Sequence, residues 1–394
     1  MIDMPNFTKE YSMKKRSFMF SIIFILGIVV TSSLLLFNFY QDSREEVIYP
    51  ASSHQTRDVF LSGKEMTTQL SLGAIGDILI HDWVYEDAQS PLGYDFKPMF
   101  KNVKDKLQTP DLLLANQETV LGGVEMGLSS YPMFNSPQEV GDALIDAGVD
   151  IVSTANNHSL DKGEKGILQS IQYYEKVRLP YVGFFKDKQD QEKLRILQKN
   201  GVKLAFLSYS YGTNGIPVPK GKEYLVNLID QEKMKTEIHK ARTLADVVVM
   251  SIHWGNEYQR IPTEQQQLLG QFLVDEGVDI IFGHHPHVLQ PMQMVKTKDQ
   301  RNAFIIYSLG NFISGQMRDY KDIGGLATIH ITKRVSPLGT AIDISNPEFS
   351  PTYVSNKQLK QYRVVPLQEA KAFGLKDADK QYKEIMEHMT QWLR

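Results

Sequence analysis

The chain has 394 residues, of which 42% are hydrophobic and 23% charged, with a formal net charge of −3 and no cysteine. This composition supplies a core and excludes a mainly disordered chain or a multi-span membrane protein, and the charge makes nucleic acid an unexpected partner. Without cysteine, disulfides, zinc–thiolate sites, iron–sulfur clusters and thiol nucleophiles are excluded, so any metal must be held by His, Asp, Glu and Asn.

Residues 1–16 end in Lys14, Lys15 and Arg16, and Ser17–Tyr40 is an uncharged run long enough to cross a bilayer. Asp42, Glu45 and Glu46 follow. The basic flank predicts a cytoplasmic start, one transmembrane anchor over 17–40 and an extracellular body on the cell membrane. A cleaved signal peptide is the alternative reading; its apolar region is usually shorter. Polar residues 41–68 read as a linker.

From 69 to 336 short apolar runs alternate with helix-length segments, which predicts an α/β domain. The runs are LSLGAIGDILIH, DLLLANQE (Asp111–Glu118), VDIVSTANNH, KLAFLSYSYG, ADVVVMSIHWG (Ala245–Gly255), VDIIFGHHPH, AFIIYSLGNF and LATIHITK. Ser136–Gly148 reads as a helix with Ser136 at N-cap, Pro137 at N1 and a glycine stop. Thr263–Gly277 reads as a second, with Leu268, Leu269, Phe272 and Leu273 on one face. DAGVDIVSTANNH and DEGVDIIFGHHPH look alike, each a helix end, a glycine stop and a buried strand. Residues 337–394 lose the pattern until a terminal helix around 377–394, whose Tyr382, Ile385, Met386, Met389 and Leu393 form a docking stripe.

Five clusters of metal-capable side chains each follow an apolar run, where α/β folds gather their sites. They hold six of the ten histidines. GDILIH offers Asp77 and His81, ANQE offers Asn116 and Glu118, and ANNHSLDKG offers Asn156, Asn157, His158 and Asp161. HWGNEY offers His253 and Glu257, and GHHPH offers His284, His285 and His287. Taken singly, an Asp after a strand is a common turn residue and a lone buried His is more often packing than a ligand. Three histidines in four positions are harder to explain that way. On an extended segment, His285 and His287 point to opposite sides, so their convergence requires a local turn. Mixed nitrogen and oxygen donors suit two divalent cations, Mn, Fe or Zn, sharing a carboxylate. His158 is placed to act as general acid or base, oriented by Asp161.

Read in order, GDILIH, NQE, NNHSLDKG, HWGNEY, GHHPHVLQP and YSLGNF resemble the CapA family of poly-γ-glutamate capsule biosynthesis proteins, over about Ser71 to Gln316. That family is similar to calcineurin-like metallophosphoesterases. The resemblance implies a four-layer α/β/β/α sandwich of metallophosphoesterase type behind the transmembrane helix. It implies Asp77, Glu118, Asn157, His253, His285 and His287 as metal ligands and His158 as general acid. His81, Asn156, His284 and Asn311 stand as a second tier. It departs at Leu79, where the phosphoesterase D-x-H motif has histidine, and at Glu118, where the bridging residue is aspartate. The implied partners are membrane-bound polymer synthase or exporter subunits and an anionic polymer such as poly-γ-glutamate. The implied roles are synthesis, export or anchoring of that polymer, or hydrolysis of a phosphoester or envelope polymer.

Overall fold

The computed structural model describes residues 65–393. The expected cytoplasmic start, membrane anchor and nearly all of the linker lie outside these residues. Among the described residues no helix is long and apolar enough to cross a membrane.

Sixteen strands are described, β1 (Met66–Leu79), β2 (Gln89–Ser90), β3 (Gly93–Tyr94), β4 (Leu112–Gln117), β5 (Ile151–Ser153), β6 (Tyr181–Val182), β7 (Arg195–Lys199), β8 (Val202–Ser210), β9 (Val247–His253), β10 (Ile280–His284), β11 (Leu289–Lys296), β12 (Asn302–Leu309), β13 (Asn311–Ser314), β14 (Ile323–Ser336), β15 (Gly339–Lys357) and β16 (Lys360–Pro366). One sheet has the order β16-β15-β14-β1-β4-β5-β6, with β13 beside the end of β1. The other has the order β11-β12-β10-β9-β8-β7. Strands β1, β4, β5 and β6 run parallel, and so do β8, β9, β10 and β12. Their C-terminal ends carry all five clusters read from the sequence.

The long apolar runs follow from burial on both faces, as parallel strands require. Alternate residues of one strand enter different cores. Leu112 and Leu114 of β4 pack in a cluster with Phe206, Val249, Phe282 and Ile306 of the second sheet. Leu113 and Ala115 face the other way, onto Val140 and Leu144 of helix Glu139–Ala147 and Ile167 and Ile171 of helix Gly163–Val177. In β9, Val248 and Met250 pack with Met234 and Ile238 of helix Gln231–Leu244 and with Leu273 of helix Glu264–Glu276.

The two look-alike segments are each a helix, a positive-φ glycine (Gly148, φ 104°; Gly277, φ 124°) and a buried strand, one in each sheet. Thr263 caps the second helix with a reciprocal Gln266 capping box. Two local expectations change. The first helix begins at Glu139, and Ser136 is no cap: its hydroxyl donates to Thr119 Oγ1 (2.8 Å) and its amide to the Val120 carbonyl (2.9 Å). Leu268 is 64% exposed, because the buried stripe runs through Gly270, Leu273 and Val274. After Pro337 the chain adds β15 and β16 to the first sheet. The terminal helix, Ala378–Thr390, then docks through Ile385 and Met389, with Tyr382, Met386 and Leu393 packed alongside.

Candidate metal centre

The first sheet supplies the carboxylates. A register shift at Gly76 turns β1 so that the Asp77 amide donates to the Gly310 carbonyl (2.9 Å). Only glycine fits at position 76, where a side chain would run into that carbonyl. Asp77 Oδ1 accepts from Asn116 Nδ2 (2.8 Å), its register partner on β4. Ser153 of β5 donates in turn to Asn116 Oδ1 (3.2 Å). Glu118 follows β4 by one residue and is fully buried.

The second sheet supplies the imidazoles. His253 ends β9, opposite His284 at the end of β10. His285 and His287 both adopt positive φ, 97° and 57°. These are costly conformations for non-glycine residues and typical of functional sites. They solve the problem posed by the i, i+2 spacing: the two rings come to 5.9 Å between centroids, and His285 lies 4.8 Å from the His253 ring.

Across the sheets, Asp77 Oδ2 lies 3.1 Å from His287 Nδ1, and Oδ1 lies 3.4 Å from His284 Nδ1. Glu118 Oε1 is 3.6 Å from His253 Nε2 and 3.8 Å from His287 Nε2. Asn157 Oδ1 sits 2.8 Å from His253 Nε2, while its amide nitrogen donates to Asn214 Oδ1 (3.1 Å). Donor atoms of Asp77, Glu118 and His253 all lie within 4.8 Å of one another.

These residues fit divalent cations. Both Glu118 oxygens, His253 Nδ1, both His284 nitrogens and His285 Nδ1 are buried and make no hydrogen bond. A buried carboxylate with no partner is strongly unfavourable, and a cation would satisfy it. Burial, reinforced by the Asp77 charge, pushes the Glu118 carboxyl well above its usual range. Burial also pushes Asp77 upward, but the neighbouring His284 and His287 imidazoles outweigh it and hold Asp77 below the usual range. Burial disfavours a proton on His287, yet Glu118 and Asp77 raise it to about 9. Burial and then the His287 charge bring His285 down to about 3. Burial, with His285 next, lowers His253. The unliganded cluster thus favours a proton on His287 beside an ionised Asp77.

His158 stands at the edge of the cluster. Its Nδ1 is 2.7 Å from Asp161 Oδ2, which also accepts the Phe134 amide (2.7 Å). Asp161 thereby fixes the ring orientation, as a supporting carboxylate does for an acid–base histidine. The second tier divides. Asn156 builds the turn, accepting from the His158 amide (2.9 Å) and donating to the Gln117 carbonyl (3.1 Å). Asn311 is the register partner of Asp77 on β13, and its amide donates to Gln316 and to the Lys321 carbonyl. His81 accepts the Gly315 N–H at Nδ1 (3.1 Å), and its ring stacks on Trp83 (5.4 Å). Its neighbour Leu79 is a core residue, 1% exposed.

Three residues enter that sequence reasoning did not place. Asn214, from the loop after β8, ties Asn157 to His158; its Nδ2 lies 3.4 Å from His158 Nδ1. Tyr211 covers the His285 ring at 4.6 Å. Glu257, named with its motif but given no role, brings a carboxylate oxygen within 4.8 Å of His285 and His287. Only proximity in the HWGNEY motif hinted at Glu257, and nothing in sequence marked the other two.

A model of the family described as "Bacterial capsule synthesis protein PGA_cap" matches residues 71–316, and the chain belongs to this family. The chain is 28% identical over 296 residues to the capsule biosynthesis protein CapA of Bacillus anthracis, covering 73% of this chain and 70% of that one. It is 29% identical over 301 residues to the PGA biosynthesis protein CapA of Bacillus subtilis, covering 75% and 77%. Similar solved structures include a calcineurin-like phosphoesterase from Bacillus subtilis, with TM-score 0.42, 15% identity and 72% and 91% coverage. Another is the NAD nucleotidase of Haemophilus influenzae, with TM-score 0.44 and 13% identity. That match covers 81% of this chain and 56% of the nucleotidase.

Proposed function

We propose that this chain acts at the outer face of the cell membrane in the synthesis, export or anchoring of poly-γ-glutamate or a similar anionic capsule polymer. Its strand-end cleft holds two divalent cations, Mn, Fe or Zn. The sheets and their flanking helices are read as the four layers of a metallophosphoesterase-type sandwich. The anchor is 17–40, and the partners are subunits of a membrane-bound polymer synthase or exporter. The observation that carries the metal reading is Glu118, fully buried with both oxygens unpartnered among imidazoles of the opposite sheet. Asp77, Glu118 and His287 would hold one cation, and Glu118, Asn157, His253 and His285 the other. Bound there, the cations supply positive charge for polymer carboxylates or phosphoryl oxygens and lower the pKa of water.

A second reading, metal-dependent hydrolysis of a phosphoester or of an envelope polymer, rests on the His158–Asp161 pair at 2.7 Å. A proton held on His158 would go to the leaving group.

The test is deletion in the native host, complemented by wild type, Glu118→Gln or His158→Ala, with surface polymer measured as amount and chain length. The expected result is loss of polymer on deletion and no rescue by Glu118→Gln. Rescue by His158→Ala with longer chains would assign trimming; rescue with normal chains would remove the hydrolytic reading. Undiminished polymer in the deletion strain would overturn the capsule role.

A further inference from the structure

We propose that Glu257 is a metal ligand of this chain, supplying from the mouth of the cleft the donor that Leu79 withholds. The inference rests on the two-cation reading above.

The first cation would be left with few protein donors. Leu79 is a core side chain, and His81 accepts the Gly315 amide at Nδ1 and stacks on Trp83. Asp77, Glu118 and His287 are the donors assigned to that cation above. Glu257 is exposed, whereas Glu118 is buried. One of its carboxylate oxygens is within 4.8 Å of a ring nitrogen of both His285 and His287. Those nitrogens belong to histidines assigned to different cations, so one carboxylate faces both.

The placement is built. The next residue, Tyr258, has φ 63°, and its amide donates to the Pro286 carbonyl (2.8 Å) inside the His285–His287 turn. Its ring lies 6.1 Å from that of His287, and its hydroxyl accepts from Gln316 Nε2 (3.3 Å). The loop carrying Glu257 is therefore pinned to the loop carrying the two histidines. No lysine or arginine pairs with Glu257 among the ion pairs of the described residues. An exposed carboxylate held against two imidazoles, with no lysine or arginine paired to it, suits a metal ion.

The rival donor is His284, buried, with both ring nitrogens unpartnered and Nδ1 3.4 Å from Asp77 Oδ1. That oxygen is the one Asn116 already holds, whereas Oδ2 faces His287. His284 therefore meets the Asp77 oxygen turned to Asn116, not the one turned to His287.

The experiment titrates Mn²⁺ into metal-stripped full-length protein, as wild type, Glu257→Gln and His284→Gln. Bound equivalents are counted by elemental analysis, affinities taken by calorimetry, and metal-free thermal melts record folding. Glu257 is exposed, so Glu257→Gln should melt with wild type when stripped. The expected result is that Glu257→Gln loses one equivalent, or binds it at least tenfold more weakly, while His284→Gln keeps both equivalents. Wild-type stoichiometry and affinity in Glu257→Gln would overturn the proposal, as would loss confined to His284→Gln. A wild type that binds one ion refutes the two-cation reading alone, and a weaker Glu257→Gln would then still support Glu257 as ligand. A wild type that binds none overturns both.

Discussion

Glu118 makes the unliganded fold less stable than it need be, and the size of that effect depends on pH. Its folded-state pKa lies well above the usual 4.5, chiefly through burial and then through Asp77. The folded state therefore binds more protons than the unfolded state from about pH 4.5 up to the raised pKa. In that window stability falls as pH rises, by about 1.4 kcal/mol per pH unit for this one group. At pH 7.5 the accumulated cost reaches at most about 4 kcal/mol, three units at that slope. Glu118→Gln removes the titration and keeps the shape. For about 330 folded residues, an unfolding entropy near 2.1 cal/mol/K per residue makes 1 kcal/mol worth about 1.4 °C. Metal-free Glu118→Gln should thus melt above metal-free wild type by up to roughly 6 °C at pH 7.5, and by under about 1 °C at pH 5. Saturating Mn²⁺ should reverse the order, because only wild type gains the full binding free energy. Thermal melts in EDTA and in Mn²⁺ across this pH range measure both. Equal or lower stability of metal-free Glu118→Gln at pH 7.5 would refute the reasoning.

Cation binding at pH 7.5 should release at least one proton. His287, raised to about 9, is protonated at that pH and must give up its proton to become a ligand. Apparent affinity should therefore climb with pH until about 9, and calorimetry in buffers of different ionisation enthalpy should read the proton directly; buffer-independent heats would contradict this assignment. Gly283→Ala should destabilise the domain by about 1–3 kcal/mol or more, since its Cβ would meet the Tyr307 carbonyl and lie 2.6 Å from Trp254 Nε1. Urea unfolding measures that loss, and wild-type stability in this variant would show that β10 and β12 can part without penalty.

The strands that end in the site were legible because burial on both faces writes them as continuous apolar runs, as in VVVMSI and VDIIF. The glycines that end helices at 148 and 277 were legible for the same reason a left-handed stop favours glycine. Strands β15 and β16 were not. Residues 339–357 mix exposed, half-exposed and buried positions without a regular period and carry serine, asparagine and two prolines, so neither a two-residue alternation nor an apolar run marks them. At the site, donor types were visible and donor directions were not. The convergence of His285 and His287 depends on two positive-φ residues that composition alone does not signal. Asn214 reaches Asn157 from a loop 57 residues away, a contact that only the docking of the two sheets creates.

That docking makes the inter-sheet core part of the candidate metal site. Asp77 and Glu118 hang from one sheet and His253 and His287 from the other, so the packing between the sheets sets every Asp77–His287 and Glu118–His253 separation. Strand β10 provides a matched test. Ile280 and Ile281 are adjacent, equally buried and chemically identical, but Ile280 faces the other sheet and Ile281 faces the helices. Truncation to alanine should cost each about 2–5 kcal/mol of stability. If inter-sheet spacing tunes the donors, Ile280→Ala should also weaken Mn²⁺ binding several-fold more than Ile281→Ala does. The comparison is made by calorimetry well below either melting temperature, so that both variants are folded. Equal affinities would mean that the strand ends hold their geometry independently of the core beneath them. The positive-φ turn at His285–His287 and the Asn116–Asp77 hydrogen bond would then be the features that set the site.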